Sequence, residues 1–248
     1  MKNIWTIAKR EYDYYFNSPT AYVVAFVILF ILGFIFAATL LFVNQNAQYG
    51  YAEPPDITQV SWWFAFLLML GVPAITMRLI GDESNTGTIE LMLTAPVRDH
   101  EFIIGKWLGS FLYILTIMLL TLVYPIILDN MLQPGIDWKL VTSSYIGLIL
   151  IAASFLALGV GISAIFPSQI AAFFVTLIAC FGLFFFIGIP AGLLQNGGQI
   201  FDYLAIRTHF DGSLNRGTIN LSDLVYFFSL IALGLFSGTT AIEIRRWR

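Results

Sequence analysis

Residues Ala21 to Val43 read AYVVAFVILFILGFIFAATLLFV, a run without a single charge. A bilayer crossing takes about 20 apolar residues at roughly 1.5 Å rise each, so this run is long enough to span one as a helix. A barrel strand would instead be about ten residues of alternating apolar and polar character, which the run excludes. The whole chain has the same bias. Its 248 residues are 58% hydrophobic and 11% charged, with a mean hydropathy of +0.83, whereas a soluble domain carries roughly a quarter charged residues. So much apolar surface requires a membrane, and the chain reads as an all-α integral membrane protein.

Five further runs follow, at Val60 to Ile80, Trp107 to Leu128, Tyr145 to Phe166, Ile170 to Leu194 and Leu224 to Ile242, giving six spans in one transmembrane domain covering 1–248. The turn Pro167, Ser168, Gln169 divides the fourth from the fifth, whose combined apolar length is about double one crossing. Lys2, Lys9, Arg10, Arg78, Arg98, Lys106, Arg245, Arg246 and Arg248 fall on one side, and Lys139, Arg207 and Arg216 on the other. Nine of the twelve basic residues on one side place both termini in the cytoplasm of a plasma (inner) membrane. The chain starts with a charged, aromatic stretch and shows no small-residue cleavage site before the first span, so no removable signal is expected.

Ahead of the first span, residues 1–19 fit an interfacial helix. At 100° per residue, Ile4, Trp5, Ala8, Tyr12, Tyr15 and Phe16 gather on one arc, opposite Lys2, Thr6, Lys9, Arg10, Asp13 and Asn17. The aromatic arc suits headgroup depth and the basic one anionic lipid. Ile7, Glu11 and Tyr14 fall off the stripe. Small residues recur at four-residue spacing in Gly105 and Gly109, in Ala153, Ala157 and Gly161, and in Gly234 and Gly238, which permits close helix approach within the chain. No internal repeat is visible, against transporter folds built from inverted halves.

Chemistry is sparse. Cys180 lies alone inside a span, so neither a disulfide framework nor a thiolate metal site is available. Asp202, His209 and Asp211 do not match a metal-site spacing and read as residues of a solvated loop. No nucleophile elbow or HExxH helix is present, and no glycine-rich loop ending in Lys and Ser or Thr. LQNGGQ at Leu194 to Gln199 resembles an ATPase signature peptide only superficially, since it falls on the outer side without a nucleotide fold. No enzymatic activity is therefore expected, and Arg78, at a span end, is expected to snorkel.

The most patterned polar stretch is DESNTGTIELMLTAPVRDHEFIIGK, Asp82 to Lys106. Gly87 permits a sharp turn, Thr88 can cap a short helix, and Ile89, Met92 and Leu93 share one helical face until Pro96 forces Ala95 out of helical geometry. A second helix start follows at Asp99 and Glu101, whose charges suit a helix N-terminus.

The order of an acidic pair, GTIELMLTAP and then GKW resembles the cytoplasmic loop of type-2 ABC exporter permeases. It is most similar to the six-span branch containing gliding-motility and nitrous-oxide-reductase-maturation permeases. KREYDYYFNSPTAY before the first span, and THFDGSLNRGTINLSDLVYFFSL with a terminal EIRRWR, agree. The resemblance implies a homo- or heterodimer of such subunits, each resting a coupling helix in a groove of a separate cytoplasmic ATPase that holds the ATP and Mg. Here that element is Thr86 to Ala95, with Asp82 and Glu83 at its membrane end. Gly87 and Pro96 shape its ends, Glu90 with Thr88 and Thr94 positions it, and Ile89, Met92 and Leu93 dock. Expected partners are that ATPase, a second permease subunit and the lipid bilayer, with no nucleic acid. The alternative is a mechanical or scaffold subunit acting on an extracytoplasmic partner through the outer segment Gln195 to Asp223, without export.

Overall fold

A computed structural model describes residues 2–48, 55–85, 98–132, 135–193 and 198–246. Among them the secondary structure is helical, as the apolar runs predict: in lipid each backbone N–H and C=O must be satisfied within its own segment. Helix α1 covers Lys2–Asn17, α2 Pro19–Gln48 and α3 Thr58–Asn85. After the polar connection that follows α3 come α4 at Asp99–Thr121, α5 at Val123–Met131, α6 at Trp138–Ile165 and α7 at Gln169–Phe181. A π-helical turn at Gly182–Phe186 breaks the fifth run, and α8 at Ile189–Leu193, α9 at Gly198–Leu204 and α10 at Ile206–Gly212 lead to α11 at Leu221–Arg246.

Among the described residues six segments are long and apolar enough to cross a membrane, with α4 and α5 forming one of them. The division at Pro167 is real: α6 ends at Ile165, and Ser168 caps α7 by accepting from the Ala171 N–H. Helix α6 is the axis of the bundle. Its most apolar window is 78% buried and that of α3 is 72%, against 17% for α2, 22% for α7 and 28% for α11. The outer three helices thus leave broad apolar faces, such as Phe26, Phe30 and Phe34 of α2, to surroundings beyond the chain.

Lipid tails are as apolar as Leu, so association between such helices depends on close fit. Gly161 supplies it on α6, where an added Cβ would lie 2.6 Å from the Gly234 carbonyl oxygen of α11, while one on Gly234 would lie 2.5 Å from the Ala157 carbonyl carbon. Two of the predicted small-residue rows therefore face each other in one crossing.

Candidate functional site

Of the residues expected to couple the chain to an ATPase, Gly87, Thr88, Ile89, Glu90, Met92, Leu93 and Pro96 lie outside the described residues, as do Thr86 and Ala95. Asp82 and Glu83 stand in the last turn of α3, with backbone placement alone described. What the structure does define is the frame that holds both ends of this connection.

On the far end, α4 starts at Asp99, two acidic residues occupy its first turn, and the Arg98 N–H donates to Glu101 Oε2 at 3.3 Å. This satisfies one orphan donor and places negative charge where the helix dipole favours it. Asn3 of α1 donates to the same carboxylate oxygen at 3.1 Å. Two turns further along α4, Gly105 and Gly109 form a track for α1: a Cβ on Gly105 would lie 2.8 Å from Ile7 Cβ, and one on Gly109 would lie 2.7 Å from the Ala8 carbonyl oxygen. The predicted glycine pair thus receives the N-terminal helix.

The buried face of α1 is offset from the predicted aromatic arc. Ala8 and Tyr15 of that arc, expected at headgroup depth, are buried against the bundle, and Glu11 is buried with them, while Trp5 is 58% exposed. Ile7, Glu11 and Tyr15 follow the i, i+4, i+8 row that crosses α4. Glu11 is tolerated there because Lys106 Nζ donates to its Oε1 at 2.9 Å and to the Leu79 carbonyl of α3 at 2.6 Å. Lys106 also sits 5.1 Å from the Phe102 ring centroid. One ammonium therefore ties α1, α3 and α4 together near the point where the connection between α3 and α4 leaves and rejoins the bundle.

Arg78 makes a second tie. Its two terminal nitrogens donate to Thr20 Oγ1 at 3.0 Å and Ser18 Oγ at 2.8 Å, fastening α3 to the junction of α1 and α2. Tyr15 completes the crossing: its hydroxyl bonds Ser110 Oγ at 3.0 Å, its ring stacks on Tyr113 at 4.8 Å, and burial pushes its phenol well above the usual range. Tyr113 in turn donates to the Ala21 carbonyl at 2.6 Å.

The opposite end of the bundle carries a second polar cluster. His209 is buried, which corrects its reading as a solvated loop residue. Its Nδ1 lies 2.7 Å from Asp223 Oδ1 and its Nε2 2.8 Å from the Tyr203 carbonyl oxygen, while its ring stacks on Tyr226 at 4.1 Å. Ser213 donates to the other Asp223 oxygen at 2.5 Å. Asp202 and Asp211 remain outside this cluster. Thr208 donates to Asp202 at 3.0 Å, and Asp211 pairs with Arg207 at 3.1 Å, where burial raises its carboxyl against the opposing pull of that arginine.

Sequence reading missed Glu11 and Asp223. Glu11 carried a usable signal, a lone carboxylate on the Ile7 and Tyr15 row with a lysine heading the third span. Asp223 stands in the first turn of α11 and is joined to His209 only by the fold, so spacing offers no such clue.

A bundle with six helices long and apolar enough to cross a membrane, framing a polar connection between its second and third spans, defines a polytopic helical membrane protein. The chain belongs to the ABC-2 transporter family: the model for the ABC-2 family transporter protein matches residues 5–209, from α1 into α10. It is a permease subunit of an ABC transporter, and membership of that family implies an ATPase partner. No match is found among curated proteins.

Proposed function

We propose that this chain is an exporter permease of the six-span branch, driven by a separate cytoplasmic ATPase through Thr86 to Ala95. The observation that supports this most is the Lys106 tie. Any displacement of the connection acts on the ends of α3 and α4, and Lys106 bonds both α3 and α1 from α4. Force on the connection is thereby shared among three helices instead of being absorbed by a free loop. The transport work comes from contacts that differ between two states of the assembly. A transport path forms between two permease subunits, each paired with one ATPase, in a plasma membrane with both termini cytoplasmic. ATP and Mg bind on the ATPase, and this chain carries out no catalysis.

The test is copurification with the ATPase. Met92→Asp or Leu93→Asp puts a charge into the docking groove, which costs several kcal/mol unless it finds a partner, so complex yield should fall. Glu90→Ala removes a rim contact and should alter ATPase stimulation while leaving the fold intact. Ile219→Asp is the control: Ile219 is exposed, and association should be unchanged. Wild-type yield and hydrolysis with Leu93→Asp would remove this stretch as the coupling element. Native mass of the purified assembly should show two permease chains and two ATPases, and a stable assembly with one permease would contradict the pairing.

A further inference from the structure

The third span is divided. Helix α4 ends at Thr121 and α5 starts at Val123, with Leu122 outside both, and Pro125 accounts for the break because it has no N–H to give the carbonyl one turn before it, that of Thr121. The donor comes from another helix. Tyr145 of α6 donates its hydroxyl hydrogen to the Thr121 carbonyl at 3.0 Å, as neighbouring helices do for prolines inside a bilayer. The same hydroxyl stands 3.2 Å from Thr121 Oγ1, a second acceptor to which it can turn. The two halves of the span are held unequally. Helix α4 is fastened to α2 by Tyr113 on the Ala21 carbonyl at 2.6 Å, to α6 by Trp107 Nε1 on the Ala153 carbonyl at 2.9 Å, and to α1 and α3 by Lys106. Helix α5 leaves Val123, Ile126, Ile127 and Met131 exposed. Among the described residues, its hydrogen bond to another helix is that of Tyr124 to the Leu29 carbonyl of α2, at 3.2 Å.

We propose that the third span is a hinged arm: α5 swings about Leu122 to Pro125, away from α2 and on a stationary α4, and Tyr145 is the latch that holds it shut. An unbroken helix would have to give up its own backbone ladder to bend there, whereas this one has already lost that bond to proline. What resists opening is the Tyr145 latch and the Tyr124 bond, and single hydrogen bonds between membrane helices are individually weak. Release does not strand the latch, because Thr121 Oγ1 remains within its reach. Opening separates Tyr124 from the Phe36 ring, which it meets at 5.0 Å in the closed arm, and parts α5 from α2 at the end of the bundle remote from Lys106. The inference goes beyond the coupling reading and is tested without any ATPase.

Spin labels on Leu41→Cys of α2 and Met131→Cys of α5, both exposed positions, report the distance across the arm by pulsed electron resonance. The full chain is used in the Cys180→Ala background, in detergent with any copurifying partner. A second pair, Leu41→Cys with Leu119→Cys, has its α4 label on the exposed Leu119 below the hinge. Tyr145→Phe, which keeps the ring, should raise the population at the longer Leu41 to Met131 distance about fivefold and leave the Leu41 to Leu119 distance unchanged. Pro125→Ala returns an N–H to the Thr121 carbonyl. The longer population should therefore shrink in that variant, and adding Tyr145→Phe to it should change nothing further. A distance distribution unaltered by Tyr145→Phe would overturn the hinge. So would an equal effect of Tyr145→Phe with and without Pro125, which would make the tyrosine a packing residue, or equal movement of both label pairs, which would make the third span one rigid unit.

Discussion

Glu11 and Lys106, 95 positions apart in sequence, meet at 2.9 Å where α1 crosses α4, with their side chains 10% and 2% exposed. Removing one partner strands a buried charge, which typically costs about 3–5 kcal/mol, whereas replacing both with apolar groups of similar volume is often neutral. Glu11→Gln and Lys106→Met should each lower the unfolding midpoint in detergent. The double variant Glu11→Leu with Lys106→Met should be more stable than Lys106→Met alone. Additive losses would show that the two residues do not act as a pair.

Close approach at the same crossing gives a second expectation. A Cβ on Gly109 would lie 2.6 Å from Glu11 Cβ and 2.7 Å from a backbone oxygen that cannot rotate away, and overpacking of this kind costs about 1–3 kcal/mol. Gly109→Ala should loosen α1, read as faster labelling of an Ala8→Cys reporter in a Cys180→Ala background. Gly212→Ala, where a Cβ meets nothing within 4 Å, is the matched control and should leave that rate unchanged.

At the other end, His209 is the buried partner of Asp223, and the stack on Tyr226 fixes its ring. His209→Phe keeps the aromatic surface but leaves a buried carboxylate with only Ser213, at a cost of about 3 kcal/mol or more. Protease cleavage between α9 and α11 should accelerate in that variant. Asp211→Ala breaks an exposed i, i+4 pair with Arg207, worth about 0.5 kcal/mol or less, and should change cleavage little.

Orientation is checked by cysteine accessibility, and the structure selects the reporters. Asn215 is buried, donating to the Thr58 carbonyl at 3.2 Å and accepting from Ser144 at 3.1 Å, so a cysteine there would report packing instead of sidedness. Ile219 and Ser168 are exposed. With cytoplasmic termini, an impermeant reagent added outside should label Ile219→Cys and spare Ser168→Cys, both in the Cys180→Ala background. The reverse pattern would invert the topology.

Sequence alone determined that this chain is a helical membrane protein, because a bilayer demands long runs without charge and backbone groups satisfied locally, and both demands are written in consecutive residues such as Ala21 to Val43. It determined the break at Pro167 for the same reason, since a proline and a capping serine act within one turn. The small-residue rows were legible as places of close approach, but not their partners. Only the tertiary structure decided that Gly105 and Gly109 receive α1 and that Gly161 meets Gly234, because a missing side chain marks a gap without naming what fills it. Burial of His209 was likewise out of reach, while that of Glu11 was signalled only by its place on the Ile7 and Tyr15 row. A buried polar or charged residue is stable only when a partner meets it, and the packing of helices brings Lys106 to Glu11 across 95 positions and Asp223 to His209 across 14.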